Sequence, residues 1–168
     1  MSYGSLYEFW MFQFTAIALG AWSSTFVHEL GHALAFWACR VRVRSIETGV
    51  GPSFTLRICG VRWVFGLNPL AGFCKPGAVR KNAKWDYKRS IFVSAAGPVL
   101  EGLVGLLIIV GGAMFCSIET NLLLWSGAMF YILGAIVNLI PMGENDGASI
   151  RDNLRELMQT KQSKEVAV

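Results

Sequence analysis

Three long apolar stretches separate the polar positions of this 168-residue chain. They run from about residue 9 to 39, from 91 to 115 and from 121 to 140. Each reaches the roughly 20 residues that an α-helix needs to cross the hydrocarbon core of a bilayer. We therefore predict three transmembrane helices. The first is longer than a crossing requires, so we expect it to tilt or to extend beyond the hydrocarbon.

The segment from about residue 40 to 89 follows a different pattern. Valines alternate with arginines directly after Arg40, and this period of two is typical of a β-strand. Further on, two apolar runs flank Cys59 and Gly60, which predicts a short hairpin turn. The apolar stretch 68–73 is broken by proline and glycine, so no helix is expected there. Two interpretations stay open: a β-patch on the membrane surface, or an edge strand that pairs with an extended substrate.

The tail from residue 148 to 168 is amphipathic in its first part. Its apolar positions form one helical stripe, at Ile150, Leu154, Leu157 and Met158. This pattern predicts a helix that lies on the inner membrane surface. The predicted fold class is thus a mainly α polytopic membrane protein, with one membrane-embedded domain over residues 1–168, a small β-region in the loop after the first crossing, and a C-terminal amphipathic helix.

Composition and charge support the membrane interpretation. Hydrophobic residues make up 54% of the chain and charged residues only 15%, with a mean hydropathy of +0.46, which excludes an ordinary soluble domain. The net charge of +4 suggests nucleic acid at first. However, the basic residues are confined to the loop 40–89 and the tail, so membrane topology explains them better and no nucleic-acid partner is expected.

The same basic residues predict the orientation. Lysines and arginines crowd the loop 40–89 and recur in the tail, whereas the short link 116–120 has none. The positive-inside rule then places the N-terminus outside and the C-terminus in the cytoplasm. The first eight residues carry no basic residue, so we expect no cleaved signal peptide. Such a chain suits a prokaryotic inner membrane.

The strongest chemical motif lies within the first apolar stretch. His28 and His32, the only two histidines, are spaced to share one helix face, and Glu29 follows the first of them. Two imidazoles at this spacing can bind one Zn²⁺, while the glutamate serves as general base toward an activated water. A chance match on an ordinary helix is the plain alternative. It is disfavoured because ionisable residues at membrane depth cost several kcal/mol unless they are paired or bind something.

A catalytic zinc site needs a third protein ligand, and the remaining candidates are Glu101, Glu144 and Asp146. His28 and Glu101 each lie twelve residues beyond a basic boundary of the loop, so both are roughly 18 Å deep at about 1.5 Å per residue. Glu101 is therefore level with the motif. Asp146 reaches it only if the chain turns back after Pro141. The residues alone leave this choice open.

Several motifs together resemble one known family, the site-2 proteases, which are intramembrane zinc metalloproteases. They are His28-Glu29-Leu-Gly-His32, Gly49-Val-Gly-Pro52, Pro69-Leu-Ala-Gly-Phe-Cys-Lys75, Ala96-Gly-Pro98, and Asn138-Leu-Ile-Pro141 followed by Asn145-Asp-Gly147. The resemblance implies one zinc per chain, with Asp146 as the third ligand. It also implies that Asn138 holds the substrate backbone or the developing oxyanion, and that the β-region presents the substrate strand.

The sequence departs from the family pattern at two positions. The family often has asparagine where this chain has Glu101, and leucine where it has Asn145. Glu101 is then a partner of a ligand, a protonated hydrogen-bond donor, or a substrate-binding group that holds an extended segment. In addition, we expect no accessory domain that filters substrates, because none fits in this length.

The expected function is hydrolysis of peptide bonds in transmembrane or membrane-associated segments near the cytoplasmic side. A substrate helix must unwind locally before its backbone can be cut. Three alternatives remain: a protease for short or previously cut peptides, a catalytically silent metal-binding adaptor or chaperone, and a metal transporter. The adaptor predicts unchanged function in Glu29→Gln. The transporter is disfavoured because few other polar residues line the apolar stretches. The oligomeric state is open.

Overall fold

The computed structural model describes residues 6–77 and 86–166. Within them, four helices and two strands follow one another along the chain: α1 (Leu6–Ala38), β1 (Val43–Ile58), β2 (Val61–Pro76), α2 (Tyr87–Phe115), α3 (Ile118–Leu139) and α4 (Asp146–Val166). The coarser part of the predicted fold class is confirmed. The chain is mainly helical, with a small antiparallel β-region between its first and second helices.

Among the described residues, two helices are long and apolar enough to cross a membrane: all of α2, and Thr120–Leu139 within α3. Both carry exposed apolar side chains along their length, among them Leu107 and Leu133, as expected for helices that face lipid. Helix α1 does not reach the same mean hydropathy, because polar residues such as Gln13 and the histidine pair interrupt its apolar stretch. A crossing by α1 therefore stays a prediction.

The three long helices approach each other at glycines. A Cβ placed on Gly20 would lie 2.5 Å from the Cα of Gly127, where α1 meets α3. A Cβ on Gly31 would lie 2.5 Å from the carbonyl oxygen of Ala96, where α1 meets α2. No side chain fits at either contact, so the helix backbones touch. Small residues at such contacts are typical of membrane helices, whose association depends on close packing.

The strands form a bent sheet whose hairpin turn lies at Cys59 and Gly60, as predicted. Both turn residues have positive φ, 52° and 79°, the conformation that a two-residue hairpin turn of this kind requires. The first part of β1 has partners on both sides, since Thr48 is in register with Phe65 and with Gly72. The half of β2 that contains Gly72 is extended, not helical, and its other side lines a cavity.

The sheet is attached to the second half of α1. The Trp22 ring stacks on Phe65 with ring centroids 5.6 Å apart, and its Nε1 donates to the carbonyl of Gly66 at 3.0 Å. One turn later, the hydroxyl of Thr25 donates to the carbonyl of Pro69 at 2.6 Å. These contacts fix β2 beside the helix segment that carries the histidine motif.

The chain turns back between α3 and α4, as the third-ligand hypothesis required. Helix α3 ends at Leu139 and α4 already begins at Asp146, with Gly143 at a φ of 60° in the turn. The beginning of α4 packs against α2, where the hydroxyls of Ser149 and Ser94 lie 2.9 Å apart. The predicted apolar stripe further along α4 is only partly covered, so its placement on a membrane surface stays a prediction.

Candidate metal centre

The histidine motif occupies the last part of α1, and all three of its polar side chains are buried. His28, Glu29 and His32 have exposed fractions of 7%, 5% and 9%. The spacing of four brings the imidazoles to one side of the helix, with their Nε2 atoms 3.1 Å apart. Two ring nitrogens thus face one point in the interior.

Asp146 completes this point from the beginning of α4. Its Oδ2 lies 3.0 Å from Nε2 of His28 and 3.3 Å from Nε2 of His32. The three atoms form a nearly equilateral triangle. Tetrahedral zinc with bonds of about 2.0–2.1 Å places its ligand atoms about 3.3 Å apart, so these residues fit three corners of such a site. Two imidazoles and one carboxylate are also a donor set that catalytic zinc uses.

The hydrogen bonds of the two Nδ1 atoms indicate the tautomers of the two histidine rings, and hence the state of the Nε2 atoms that face the proposed metal. Nδ1 of His32 lies 2.8 Å from the carbonyl oxygen of Val93. A carbonyl only accepts, so Nδ1 carries the proton and the neutral ring has a lone pair at Nε2. Nδ1 of His28 lies 2.9 Å from Oε2 of Glu101. With both Nε2 atoms free of protons, they and Oδ2 of Asp146 form three converging acceptor atoms, which one cation would satisfy together.

The remaining predicted residues line the same cavity, whose volume is about 760 Å³. Glu29 lies on its wall against β2, close to Gly72, where an added Cβ would be 2.7 Å from the glutamate Oε1. The cavity contains all six residues that the sequence assigned to the site: His28, Glu29, His32, Glu101, Asn138 and Asp146. The structure thus brings residues from α1, α2, α3 and α4 to one place.

Glycines keep this place open. A Cβ on Gly97 would lie 2.5 Å from Nε2 of His32 and 3.0 Å from Nε2 of His28. A Cβ on Gly147 would lie 2.3 Å from the carbonyl oxygen of Leu139, which would push the beginning of α4 away. From the sequence, Gly97 was named only within a family motif, whereas Gly147 was one of the residues that make a turn back after Pro141 plausible.

Asn145 is a site-supporting residue that the sequence did not reveal. Its Oδ1 accepts from the backbone N–H of Ala148 at 3.0 Å, which caps the first turn of α4. Its Nδ2 donates to the carbonyls of Ile140 at 2.7 Å and Val137 at 3.1 Å, at the end of α3. One side chain therefore joins the two helix ends and fixes Asp146. The only sequence signal was that asparagine replaces the usual leucine.

A second charged cluster lies on the sheet, away from this cavity. Glu47 accepts from Lys75 at 2.7 Å, from Ser45 at 2.9 Å and from Arg62 at 3.0 Å. Burial alone would raise the pKa of this carboxyl, but the hydrogen bonds from Lys75 and Ser45 outweigh burial and hold the pKa below its ordinary value. Glu47 is thus fully paired with cations of the chain itself.

Comparison with known families agrees with this geometry. A family model described as peptidase family M50 matches residues 14–121, more than half of the chain. The chain belongs to peptidase family M50, the site-2 protease family, as its motifs predicted. This family consists of membrane-embedded, metalloprotease-type hydrolases that are in general zinc-dependent. A comparison with curated proteins gives no match. The matched stretch ends before Asn138 and Asp146, so the geometry is what joins Asp146 to the histidines.

Proposed function

We propose that this protein is an intramembrane zinc metalloprotease that hydrolyses transmembrane or membrane-associated segments near the cytoplasmic side. The observation that carries this proposal is the convergence of His28, His32 and Asp146 on one point, with Glu29 beside them in the same cavity. Membership of family M50 supports the type of reaction.

In this proposal the ligand atoms are Nε2 of both histidines and Oδ2 of Asp146, which hold one zinc per chain. Zinc bound there would polarise the peptide carbonyl and would lower the pKa of water toward about 7. Glu29 accepts the proton from the water and passes it to the leaving amine. Asn138, on the cavity wall, holds the substrate backbone or stabilises the developing oxyanion.

The substrate is expected to bind as an extended strand. The half of β2 around Gly72 has β1 on one side and the cavity on the other. The backbone N–H of Cys74 already bonds to Glu29 there, so a substrate strand would add along the backbone groups that remain. Gly72 lies against Glu29, which would bring a paired backbone close to the general base. A transmembrane substrate must unwind locally to reach this state, because its helical hydrogen bonds shield the scissile carbonyl. Helix-destabilising residues should therefore favour cleavage.

The proposed topology has three crossings, by α1, α2 and α3, in a prokaryotic inner membrane. The N-terminus is outside, whereas the β-region, the metal centre and α4 are near the cytoplasmic side. Support comes from the two apolar helices and from the basic residues between α1 and α2. The partners are then lipid and a membrane protein or peptide substrate, and no nucleic acid.

The test uses liposomes that contain the full chain and one of two single-span model substrates. The substrates differ only in a Gly-Pro-Asn insert near the cytoplasmic end of their helix. We expect the wild type to cut the substrate with the insert faster, and Glu29→Gln or a zinc chelator to abolish cleavage. Equal rates on both substrates would contradict the unwinding step. Cleavage at the wild-type rate in Glu29→Gln would contradict the role of Glu29 as general base, and no cleavage by the wild type would contradict the protease itself.

A further inference from the structure

Glu101 is the most deeply buried acidic residue that the described structure records, with 2% of its surface exposed. Its Oε1 accepts from the hydroxyl of Ser24, and its Oε2 lies 2.9 Å from Nδ1 of His28. Helix α3 leaves room for the carboxyl, since a Cβ on Gly134 would lie 2.3 Å from Oε1. Residues of α1, α2 and α3 thus surround one carboxyl group directly behind a metal-facing histidine.

We propose that Glu101 is a positioning residue that holds the ring of His28 with Nε2 toward the metal, and that Ser24 in turn holds Glu101. This inference rests on the zinc site of the proposed function. In this inference Glu101 supports the ligand His28 and does not bind substrate, because both of its carboxyl oxygens already have partners inside the protein.

The energetic reason lies in the cost of burial. A carboxyl at this depth is costly unless its oxygens are hydrogen-bonded, and Ser24 and His28 satisfy one oxygen each. A ligating histidine that donates its second ring N–H to a carboxylate is fixed in tautomer and orientation, and the carboxylate also makes the ligand more basic. Removal of such a partner weakens metal binding without removing a ligand.

The two histidines differ in a way that supplies an internal control. His32 is oriented by the backbone carbonyl of Val93, which no side-chain substitution removes. His28 is oriented by the side chain of Glu101. A change at position 101 should therefore alter His28 and leave His32 as it is.

The first measurement is the zinc affinity of the purified full chain, by competition with a chelator. Glu101→Ala should bind zinc about 10–100-fold more weakly than the wild type. Glu101→Gln keeps an acceptor for Nδ1–H and should lose less. Ser24→Ala should lose a few-fold, whereas Ser23→Ala should lose nothing, because the Ser23 hydroxyl bonds only to carbonyls of its own helix.

The second measurement detects the Nδ1–H of His28 directly by NMR. The chain has only two histidines, so a sample labelled with ¹⁵N-histidine and saturated with zinc gives two Nδ1–H cross peaks. In Glu101→Ala the His28 peak should move upfield and exchange faster with solvent, while the His32 peak stays in place. Glu101→Gln should lie between wild type and Glu101→Ala.

These readouts separate the two proposals. Unchanged zinc affinity and an unchanged His28 peak in Glu101→Ala would overturn the positioning role and leave the protease proposal intact. The expected order of affinities without any proteolysis would contradict the protease proposal alone. If the Glu101 variants fail to fold, the serine pair decides: equal zinc affinities in Ser24→Ala and Ser23→Ala would overturn the inference.

Discussion

Two clusters of charged residues in this protein differ in whether the chain supplies their counter-charges. On the sheet, Glu47 lies between Lys75 and Arg62. Inside the cavity, by contrast, His28, His32 and Asp146 point three acceptor atoms at one another. The described residues that line this cavity include no lysine or arginine. The first cluster is complete as it stands, whereas the second has the geometry to hold a cation from outside.

The free energies expected for the two clusters support the same distinction. Lys75 and Arg62 are about half exposed, with exposed fractions of 52% and 48%, and such pairs contribute about 1 kcal/mol or less. Converging acceptors in a buried site cost more than that when they have no donor or metal between them. A structural cluster and a functional one can thus be told apart by charge balance and burial.

The largest expected effect is on catalysis, from Glu29→Gln. Loss of the general base should reduce cleavage by about 10²–10⁴-fold, while zinc content stays at about one per chain because Glu29 is not a ligand. Glu47→Gln, a matched change in the sheet cluster, should leave the cleavage rate near that of the wild type. Equal losses in both variants would contradict the distinction between the clusters.

The next effect is on zinc content, from Asp146→Ala. Loss of one of three protein ligands should reduce zinc per chain, measured by elemental analysis, from about one to a small fraction. Asp152→Ala is the control on the same helix, since Asp152 is exposed and contacts Arg151. Zinc retained in Asp146→Ala but lost in Glu101→Ala at saturating zinc would make Glu101 the third ligand.

A smaller effect is expected from Gly97→Ala. The new methyl group would lie 2.5 Å from Nε2 of His32, so the imidazoles must shift, at a cost of about 1–3 kcal/mol. Zinc affinity should fall accordingly. Gly111→Ala on the same helix should have no effect, because nothing lies within 4 Å of its added Cβ. Equal affinities in the two variants would show that the ligands adjust freely.

The smallest effect is the pH dependence of the sheet. The pKa of Glu47 is lower in the folded chain than its ordinary value of 4.5, so its pairing stabilises the sheet above that pH and is lost as pH falls through the lowered pKa. At pH 7 the amides of β1 and β2 should exchange more slowly in the wild type than in Glu47→Gln. The difference should shrink in acid. A difference that stays constant down to low pH would contradict this.

The order of elements and the histidine motif could be predicted from the sequence, because periodicity and spacing are local. Residue counting also placed Glu101 near His28 correctly, but it could not tell which edge of the ring the carboxyl reaches. Asp146 was one of three candidates, and the choice of it came from the family resemblance. Whether the chain turns back depends on the bonds of Asn145 to two helix ends, and such tertiary contacts leave no local pattern.

The hydrogen-bond partners of the two histidines could not be predicted from the sequence either. The carbonyl of Val93 orients His32, and every residue has a carbonyl, so no residue type marks that position. Ser24 looks like any serine on an apolar helix until α2 is packed against it. The sequence therefore predicts the chemistry of the site better than its support.

The turn that brings Asp146 back to α1 would also set when the proposed enzyme becomes active. More than one hundred residues separate His32 from Asp146 along the chain. A growing chain that has not yet extended to α4 has two of the three ligands and binds zinc weakly. In the proposed enzyme, proteolytic competence would therefore not arise until α4 has packed against the other helices.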